Sequence, residues 1–281
     1  MRHRFDVRVG PARFRIGSAW KAPVEQLQSL YRDYPGVDGD VPDLTVRLEP
    51  ARPWRRWLRP SVAIGGDFTL PEAAPLPLAQ GLLAAEMAMN LQMALGWRRH
   101  LLLHAAAVEK DGRALVMTGE SGAGKSTLAS LLMRAGWRLL GDEFVLVGLA
   151  DGRLSPFPRP ISLKNESIGA LAGAGEWGPE MRGTPKGTIR HLVPDARAIG
   201  GMDEPAMPAI VLFPRFGFAA ARRAVPGSEA FVRLTAASTN YAGLGEAGFA
   251  ALTQLVTQVP QVAIDYPDGP SALAMIDGLW R

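Results

Sequence analysis

Short runs of alternating apolar and polar residues fill the first seventy positions of the chain. They cover residues 5–9, 12–16, 44–48 and 62–70, and proline and glycine separate them. Alternation with a period of two is typical of strands that bury one face. The pattern therefore predicts a small β-rich unit over residues 1–75, which we expect to contribute to substrate or partner binding.

Longer patterns follow from residue 76 onward. Residues 78–96 carry a broad apolar face with helical spacing, and the runs 101–109 and 113–118 flank Lys110-Asp111-Gly112, which indicates a β-hairpin. Further runs predict strands over residues 137–140 and 209–213 and helices over residues 249–259 and 271–280. The glycine-rich segment 169–187 has little periodicity, so we predict a mobile loop there. We predict an α/β fold, with a core unit over residues 76–281.

Eight residues near the middle, Gly119-Glu-Ser-Gly-Ala-Gly-Lys-Ser126, match the phosphate-binding pattern G-x-x-x-x-G-K-[ST] between a strand-like and a helix-like run. Its glycines let the backbone turn N–H groups toward anionic oxygens at a helix N-terminus. Lys125 would reach the β- and γ-phosphates, and the Ser126 hydroxyl would bind Mg²⁺. By composition, a chance match is roughly a one-in-a-hundred event. The residues predicted to bind the nucleotide are Gly119, Glu120, Ser121, Gly122, Ala123, Gly124, Lys125, Ser126 and Thr127.

Composition narrows the classes of function. The 281 residues are 47% hydrophobic and 21% charged, as in ordinary globular chains. No apolar run reaches the roughly twenty residues of a membrane span, and none resembles a signal peptide. We therefore expect a cytoplasmic protein without a membrane span. Because cysteine is absent, disulfides and thiolate metal sites are excluded, and the four scattered histidines argue against a dedicated zinc site.

The formal net charge is only +4, but arginines are dense in one short run, Arg52-Pro-Trp-Arg-Arg-Trp-Leu-Arg-Pro60. Two interpretations are open: the run binds an acidic partner or nucleic acid, or it is a solvated loop whose Trp54 and Trp57 are anchored in a core. We favour the loop, because a short cationic run without a nucleic-acid-binding module is weak evidence. Nucleic-acid binding is therefore not expected.

A candidate catalytic carboxylate follows the phosphate-binding loop. Transfer of a phosphoryl group to a hydroxyl requires Mg²⁺, cations around the transferred group and a carboxylate that accepts the hydroxyl proton. Asp142 lies seventeen residues after Lys125, which is enough for one helix and one returning strand. We therefore predict that Asp142 is the catalytic base. A ligand of a magnesium-bound water, or an ordinary turn residue, is the alternative.

The spacing of three elements resembles a known family. His104, the loop at residues 119–126 and Gly141-Asp142-Glu143 are arranged as in the catalytic core of HPr kinase/phosphorylase. The resemblance is closer still to the HPr-kinase-related kinase A group, and it covers most of the chain, most strongly residues 99–147. Three further landmarks of that group are residues 158–165, Lys186-Gly187 and Phe213-Pro-Arg215. The resemblance implies a P-loop core of the type shared by HPr kinase and phosphoenolpyruvate carboxykinase.

The resemblance also implies roles for individual residues. It places Lys125 and Ser126 on phosphate and Mg²⁺. It places His104 near the γ-phosphate and makes Asp142 the proton acceptor. Glu143 stands where the family has a second aspartate, and we take it, with Ser126, as a candidate metal ligand. Asp142, His104 and Lys125 are thus the predicted catalytic residues.

Several cations are candidates for binding the triphosphate or an acidic acceptor, with an ordinary surface charge as the alternative for each. They are Arg159, Lys164, Lys186, Arg190 and Arg215. Lys164 is the strongest candidate, because it lies among apolar residues where an unpaired lysine would be costly.

Together these residues predict an ATP- and Mg²⁺-dependent kinase that transfers the γ-phosphate to a hydroxyl, first of all a serine, of a protein or peptide. A small-molecule kinase of the same fold and a nucleotide-dependent switch without kinase activity are the alternatives. The resemblance implies a PqqD-like peptide chaperone as a partner. Since HPr kinases form hexamers, it also leaves a homo-oligomer open.

Overall fold

The first part of the chain forms a mixed β-sheet. A computed structural model describes residues 2–37, 39, 41–70 and 72–280, and among these residues the sheet has five strands. In their order across the sheet they are β1 (His3–Val9), β2 (Ala12–Ser18), β3 (Leu44–Pro50), β4 (Ser61–Gly66) and β5 (Leu76–Pro77). β2 and β3 are parallel, and the other neighbours are antiparallel. This confirms the strands predicted from alternation, although β4 ends at Gly66 rather than at residue 70.

Two helices, α1 (Lys21–Leu30) and α2 (Gly81–Gly96), pack against this sheet. Phe14 and Leu48 of the sheet share one buried cluster with Leu27 of α1 and Met89 of α2. Phe157, from later in the chain, belongs to the same cluster. Because α2 follows the predicted boundary at 75/76 yet packs on the N-terminal sheet, the division into two units stays a prediction. Its outer limits, residues 1 and 281, lie outside the described residues.

The rest of the chain alternates strands with helices. Its strands are β6 (His100–Leu103), β7 (Ala105–Lys110), β8 (Arg113–Thr118), β9 (Arg138–Gly141), β10 (Val145–Gly148), β11 (Leu154–Ser155), β12 (Ile161–Lys164), β13 (Met181–Thr184), β14 (Gly187–Leu192), β15 (Met207–Phe216), β16 (Ala221–Ala224) and β17 (Gln261–Tyr266). Its helices are α3 (Lys125–Arg134), α4 (Glu166–Ala170), α5 (Ala196–Gly200), α6 (Gly227–Ala237), α7 (Tyr241–Gln258) and α8 (Gly269–Trp280). Short 3-10 helices cover Pro53–Arg56 and Leu78–Gln80.

The central sheet, as far as the chain is described, has six strands in the order β16-β17-β15-β8-β7-β9. β8, β15 and β17 are parallel to one another. β9 runs in the same direction, because both β8 and β9 are antiparallel to β7. The carboxyl ends of these four strands and the amino end of β7 therefore lie at one edge of the sheet.

Helices cover both faces of the central sheet. Leu115 of β8 is buried with Leu128 of α3 and with residues of α8. The next residue, Val116, is buried on the opposite face with Leu252 of α7 and with residues of α6. Smaller sheets with the orders β11-β10-β6 and β12-β14-β13 adjoin this core. The layered arrangement of mixed sheets and helices confirms the predicted α/β class.

β7 and β8 form the predicted hairpin. Asp111 and Gly112, at its turn, have φ angles of 55° and 75°, as in the type I′ turn that Asp-Gly favours. The first predicted strand, residues 101–109, is interrupted at His104, because β6 pairs with β10 whereas β7 pairs with β8 and β9. The backbone N–H of His104 donates instead to the carbonyl of Ala237, at 2.7 Å. The apolar run 101–109 thus contributes one strand to each of two sheets.

The prediction of a mobile loop over the segment 169–187 is wrong for both of its ends, and residues 169–170 are the last two of α4. Residues 181–184 form β13, which pairs with β14. The Thr184 hydroxyl donates to the carbonyl of Gly187 at 2.7 Å and closes the turn between the two strands. The glycines in this segment obscure the sequence pattern of β13, which its pairing with β14 stabilises.

The arginine-rich run also differs from expectation. Trp54 and Trp57 are 52% and 76% exposed, so neither ring is anchored in a core. The 3-10 helix at Pro53–Arg56 buries none of its residues. Guanidinium groups of Arg52 and Arg56 lie over the two rings instead.

The remaining predicted elements are present. The helices predicted at residues 78–96, 249–259 and 271–280 correspond to α2, α7 and α8, and α7 begins earlier, at Tyr241. The strands predicted at residues 137–140 and 209–213 correspond to β9 and β15. Within the described residues, no helix combines the length and apolar character needed to cross a membrane.

Candidate functional site

One edge of the central sheet gathers the predicted site residues. The loop at residues 119–124 leaves β8 and enters α3, His104 precedes β7, and Asp142 follows β9. β7 lies between β8 and β9 and pairs with both. Neighbouring strands are about 4.8 Å apart, so these three segments lie within about 10 Å of one another across the sheet.

The backbone of the loop has the conformation that glycine allows. Gly122 and Gly124 have φ angles of 89° and 91°, in the left-handed region that other residues avoid. A Cβ on Gly124 would lie 2.3 Å from the hydroxyl oxygen of Tyr266. That hydroxyl donates to the carbonyl of Ala123 at 3.3 Å. Tyr266, at the end of β17, therefore fixes the loop, and no signal in the sequence marked it for this role.

Lys125 folds back over the loop that precedes it. It is the first residue of α3 and is 8% exposed. Its Nζ donates to the carbonyls of Gly119 and Glu120 at 2.7 and 3.0 Å. Burial lowers the pKa of Lys125, and the carboxylates of Asp142 and Glu143 oppose that shift. The ammonium thus lies against the first two residues of the loop.

Asp142 is a buried carboxylate without a partner. It is 5% exposed, and neither of its oxygens forms a hydrogen bond with any described residue. Burial, followed by the charge of Glu143, raises the pKa of Asp142 to about 7. The nearby Ser126 hydroxyl, Lys125 and Lys164 oppose this shift without cancelling it. Since a buried polar group normally finds a partner, this carboxylate is the most unusual group at the edge.

His104 and Glu143 lie next to each other at the solvent-exposed side of the sheet edge. The Nδ1 atom of His104 is 3.2 Å from the backbone oxygen of Glu143 and 3.6 Å from its Oε2 atom. The two side chains are 49% and 33% exposed. With its proton on Nδ1, the imidazole donates to the Glu143 carbonyl. His104 is thus an exposed residue beside the acidic pair and not part of a strand core.

The oxygen atoms present suit a magnesium ion that is shared with phosphates. Ser126 and Glu143 supply one hydroxyl and one carboxylate, which are ligands that Mg²⁺ prefers. The adjacent carboxylate of Asp142, whose two oxygens have no partner among the described residues, adds negative charge that a nearby cation would balance. No group of three or more His, Asp or Glu side chains in the described part of the chain could hold a metal by itself. Mg²⁺ usually takes one or two carboxylates and completes its shell with water and phosphate, so these residues fit it.

Lys164 is a predicted cation that lies close to this group. It ends β12 and is close enough to Asp142 and Lys125 to influence the pKa of both. The amide of the next residue, Asn165, donates to the carbonyl of Lys186 at 3.4 Å. The exposed turn that carries Lys186 is therefore tied to the end of β12.

The predicted arginines have partners of their own. Arg215, at the same sheet edge, forms two hydrogen bonds to Asp265 at 2.8 and 2.6 Å. Arg159 is 3% exposed and forms a buried ion pair with Glu86 of α2. Arg190 donates to a backbone carbonyl at 2.9 Å. Lys164 thus lies beside Asp142, Arg215 is paired with Asp265 at the same sheet edge, and Arg159 is paired with Glu86 in the core beside α2.

Asn240, which with Tyr241 resembles a further landmark of the kinase A group, is a positioning residue whose role the sequence did not reveal. It is 4% exposed and precedes α7, but its side chain does not cap that helix. Its Oδ1 accepts from the N–H of Leu102 at 2.9 Å. Its Nδ2 donates to the carbonyls of Trp97 and His100 at 3.0 and 2.9 Å. Asn240 therefore holds the strand that leads to His104, whereas an asparagine before a helix normally indicates a cap.

Comparisons with known proteins give little beyond this geometry. No family model and no curated protein matches the chain. One similar solved structure is the HPr(Ser) kinase/phosphatase from Coxiella burnetii. It is 16% identical, the match covers 62% of this chain and 90% of that chain, and the TM-score is 0.28. A likeness of this degree carries no argument about residue roles, and the closer resemblance to the kinase A group stays a prediction.

Proposed function

We propose that the protein is an ATP- and Mg²⁺-dependent kinase that transfers the γ-phosphate to a hydroxyl, first of all a serine hydroxyl, of a protein or peptide. The observation that carries the proposal is Asp142. Its buried, unpartnered carboxylate, with a pKa of about 7, lies at the same sheet edge as the phosphate-binding loop. A general base is most effective when its pKa is near the working pH. Perturbed carboxylates of this kind concentrate at catalytic sites.

Each residue would act at a defined atom. The backbone N–H groups of residues 119–124 and the Nζ of Lys125 would bind phosphate oxygens. A carboxylate oxygen of Asp142 would accept the proton of the acceptor hydroxyl while the hydroxyl oxygen attacks the γ-phosphorus. The bond from that phosphorus to the β–γ bridging oxygen then breaks, and ADP leaves with the electron pair. Lys164 would place a further positive charge beside the transferred group.

The site residues also fit the metal and the acceptor. When bound, Mg²⁺ would supply positive charge that neutralises the phosphates. Ser126 and Glu143 are the residues that would hold it, which leaves Asp142 for the proton. His104, half exposed beside Glu143, would lie where the acceptor approaches the γ-phosphate.

Incubation of the purified protein with γ-labelled ATP, Mg²⁺ and a lysate of its source tests the proposal. We expect label on a protein or peptide band. Asp142→Asn should reduce the label at least about a hundredfold while calorimetry still shows ATP binding. Asp111→Asn is the matched control, because it makes the same chemical change in an exposed turn where Asn-Gly is as favourable as Asp-Gly.

The other outcomes separate the alternatives. Label confined to small molecules would favour a metabolite kinase, and ATP binding without transfer to any acceptor would favour a nucleotide-dependent switch. Undiminished transfer by Asp142→Asn would refute its role as the base.

The partner is a further part of the proposal, and the resemblance alone supports it. A PqqD-like peptide chaperone would present the acceptor peptide, with the N-terminal sheet as the proposed contact. Co-purification with such a chaperone checks the first point. Light scattering after size-exclusion chromatography checks the homo-oligomer that the resemblance leaves open.

A further inference from the structure

An aromatic surface borders the phosphate-binding loop and has no part in the chemistry proposed above. Phe216 ends β15 and is 53% exposed. Its ring packs against the ring of Tyr266, with centroids 5.7 Å apart and an interplanar angle of 56°. Tyr266 is itself buried and bonded to the loop through Ala123. Phe216 therefore presents a supported ring surface to solvent beside the loop.

Gly124 defines how closely Phe216 approaches the loop. A Cβ on Gly124 would lie 3.4 Å from the Cβ of Phe216. Gly124 immediately precedes Lys125 and α3, so Phe216 borders the helix end of the loop. β15 and β7 pair with opposite sides of β8. Phe216 consequently lies on one side of the loop, and Asp142, beyond β7, lies on the other.

We propose that Phe216, backed by Tyr266, forms the subsite for the nucleobase of the bound nucleotide. The inference rests on the triphosphate site of the proposed function. A triphosphate whose γ-phosphate faces Asp142 leaves its nucleoside on the opposite side of the loop, where Phe216 lies. Stacking on an aromatic ring binds a base through its π-face. The ligand class is therefore a nucleoside triphosphate that is held at the base as well as at the phosphates.

The surroundings of Phe216 support this role. The N–H of Gly217 donates to the carbonyl of Tyr266 at 2.9 Å, so the end of β15 is anchored. Phe218 is also exposed, but the guanidinium of Arg215 lies 4.0 Å from the centre of its ring. Among the described residues, no cation stacks on Phe216. Its ring is thus held by Tyr266 on one side and free to receive a planar ligand elsewhere.

Calorimetric titration with two ligands tests the subsite: MgATP, and inorganic tripolyphosphate with Mg²⁺. Phe216→Ala should weaken ATP binding about tenfold. Tripolyphosphate has no base, so its affinity should stay within about twofold of wild type. Phe216→Tyr should preserve ATP affinity, because it keeps the ring. Phe216→Leu should resemble Phe216→Ala, because it keeps apolar bulk without a π-face.

The controls make each outcome decisive. Phe249→Ala removes a ring that is equally exposed, at 54%, on α7, and should leave both affinities unchanged. Equal weakening of both ligands by Phe216→Ala would show a disturbed loop, and unchanged ATP affinity would show that Phe216 does not bind the base. Either result overturns the subsite. If wild type binds neither ligand, the triphosphate site itself is refuted and the subsite with it. If Phe216→Ala does not fold, the ATP affinities of Phe216→Leu and Phe216→Tyr are compared instead.

Discussion

Two buried carboxylates lie at opposite ends of the strand pair β7–β9. Glu109, near the carboxyl end of β7, is 4% exposed, and Asp142, just after β9, is 5% exposed. Glu109 accepts from Arg138 Nε at 2.8 Å and from the N–H of Gly112 at 2.6 Å. Asp142 accepts from no described residue. Equal burial thus produces one satisfied and one unsatisfied carboxylate.

The pKa values of the two carboxyl groups move in opposite directions. Burial alone would raise the pKa of Glu109, but the bonds from Arg138 and Gly112 hold it below its usual value. Burial and the charge of Glu143 raise the pKa of Asp142 to about 7. Glu109 is therefore a structural anion at neutral pH, whereas Asp142 can exchange a proton there. Stronger desolvation together with the missing partner distinguishes the candidate functional end from the structural end.

The largest expected effect separates the two carboxylates by activity. Asp142→Asn should lower kcat by a factor of about 10²–10⁴, the usual contribution of a general base. Glu109→Gln, assayed at a temperature where the variant is folded, should leave kcat unchanged. Initial rates with γ-labelled ATP measure both. An equal loss of kcat in the two variants would contradict the distinction.

Removal of the partner of Glu109 should have the next largest effect. Arg138→Met leaves the buried Glu109 carboxylate with only the Gly112 N–H and the more distant, exposed Arg197, and it also removes donors to the carbonyls of Gly201 and Glu204. We expect the free energy of unfolding to fall by about 3–5 kcal/mol, as measured by urea titration. Arg197 is 56% exposed and 3.8 Å from Glu109, so Arg197→Met should change stability by about 0.5 kcal/mol or less. Comparable losses in both variants would argue against a buried pair.

A smaller effect depends on pH, and its sign differs between the two ends. Because the pKa of Asp142 is raised on folding, the folded state binds the proton more tightly than the unfolded chain does. The free energy of unfolding therefore falls as the pH rises from the usual pKa of an aspartate to about 7. Without nucleotide or metal, the stability of Asp142→Asn relative to wild type should rise by about 3 kcal/mol between pH 5 and pH 8. Urea titrations at both pH values measure it, and a constant difference would contradict the raised pKa.

The lowered pKa of Glu109 gives the opposite sign. Its contribution to stability is present above the unfolded pKa and is lost as pH falls through the lower folded pKa. The advantage of wild type over Glu109→Gln should therefore shrink in acid. The same titrations, extended below pH 5, measure this loss.

The smallest expected effect concerns the turn that satisfies Glu109. Gly112 has a φ angle of 75° and open space where a Cβ would lie, so Gly112→Ala introduces backbone strain alone. We expect a loss of about 1 kcal/mol in urea titration. Gly200, at the end of α5, has open space as well and no positive φ angle. Gly200→Ala should therefore be neutral or slightly stabilising, and an equal loss in both would exclude backbone strain as the cause.

Features that depend on neighbouring residues could be predicted from the sequence. The Asp111-Gly112 turn defined a hairpin, and the glycines and Lys125 defined the loop between β8 and α3. The interruption at His104 and the strand at residues 181–184 could not be predicted, because β10 and β14 decide them from elsewhere in the chain. The predicted burial of Trp54 was wrong for a similar reason, because a side chain is buried only where another part of the chain packs against it.

The sequence by itself determined the α/β class, the phosphate-binding loop and the position of Asp142 directly after a strand. These follow from periodicity and from the conformational freedom of glycine, which act over a few residues. Only the tertiary structure decided that Asp142 is buried without a partner while Glu109 is paired, that Arg159 is engaged by Glu86, and that Phe216 and Tyr266 border Gly124. Desolvation and charge depend on which distant segments pack together, and local pattern does not contain that information.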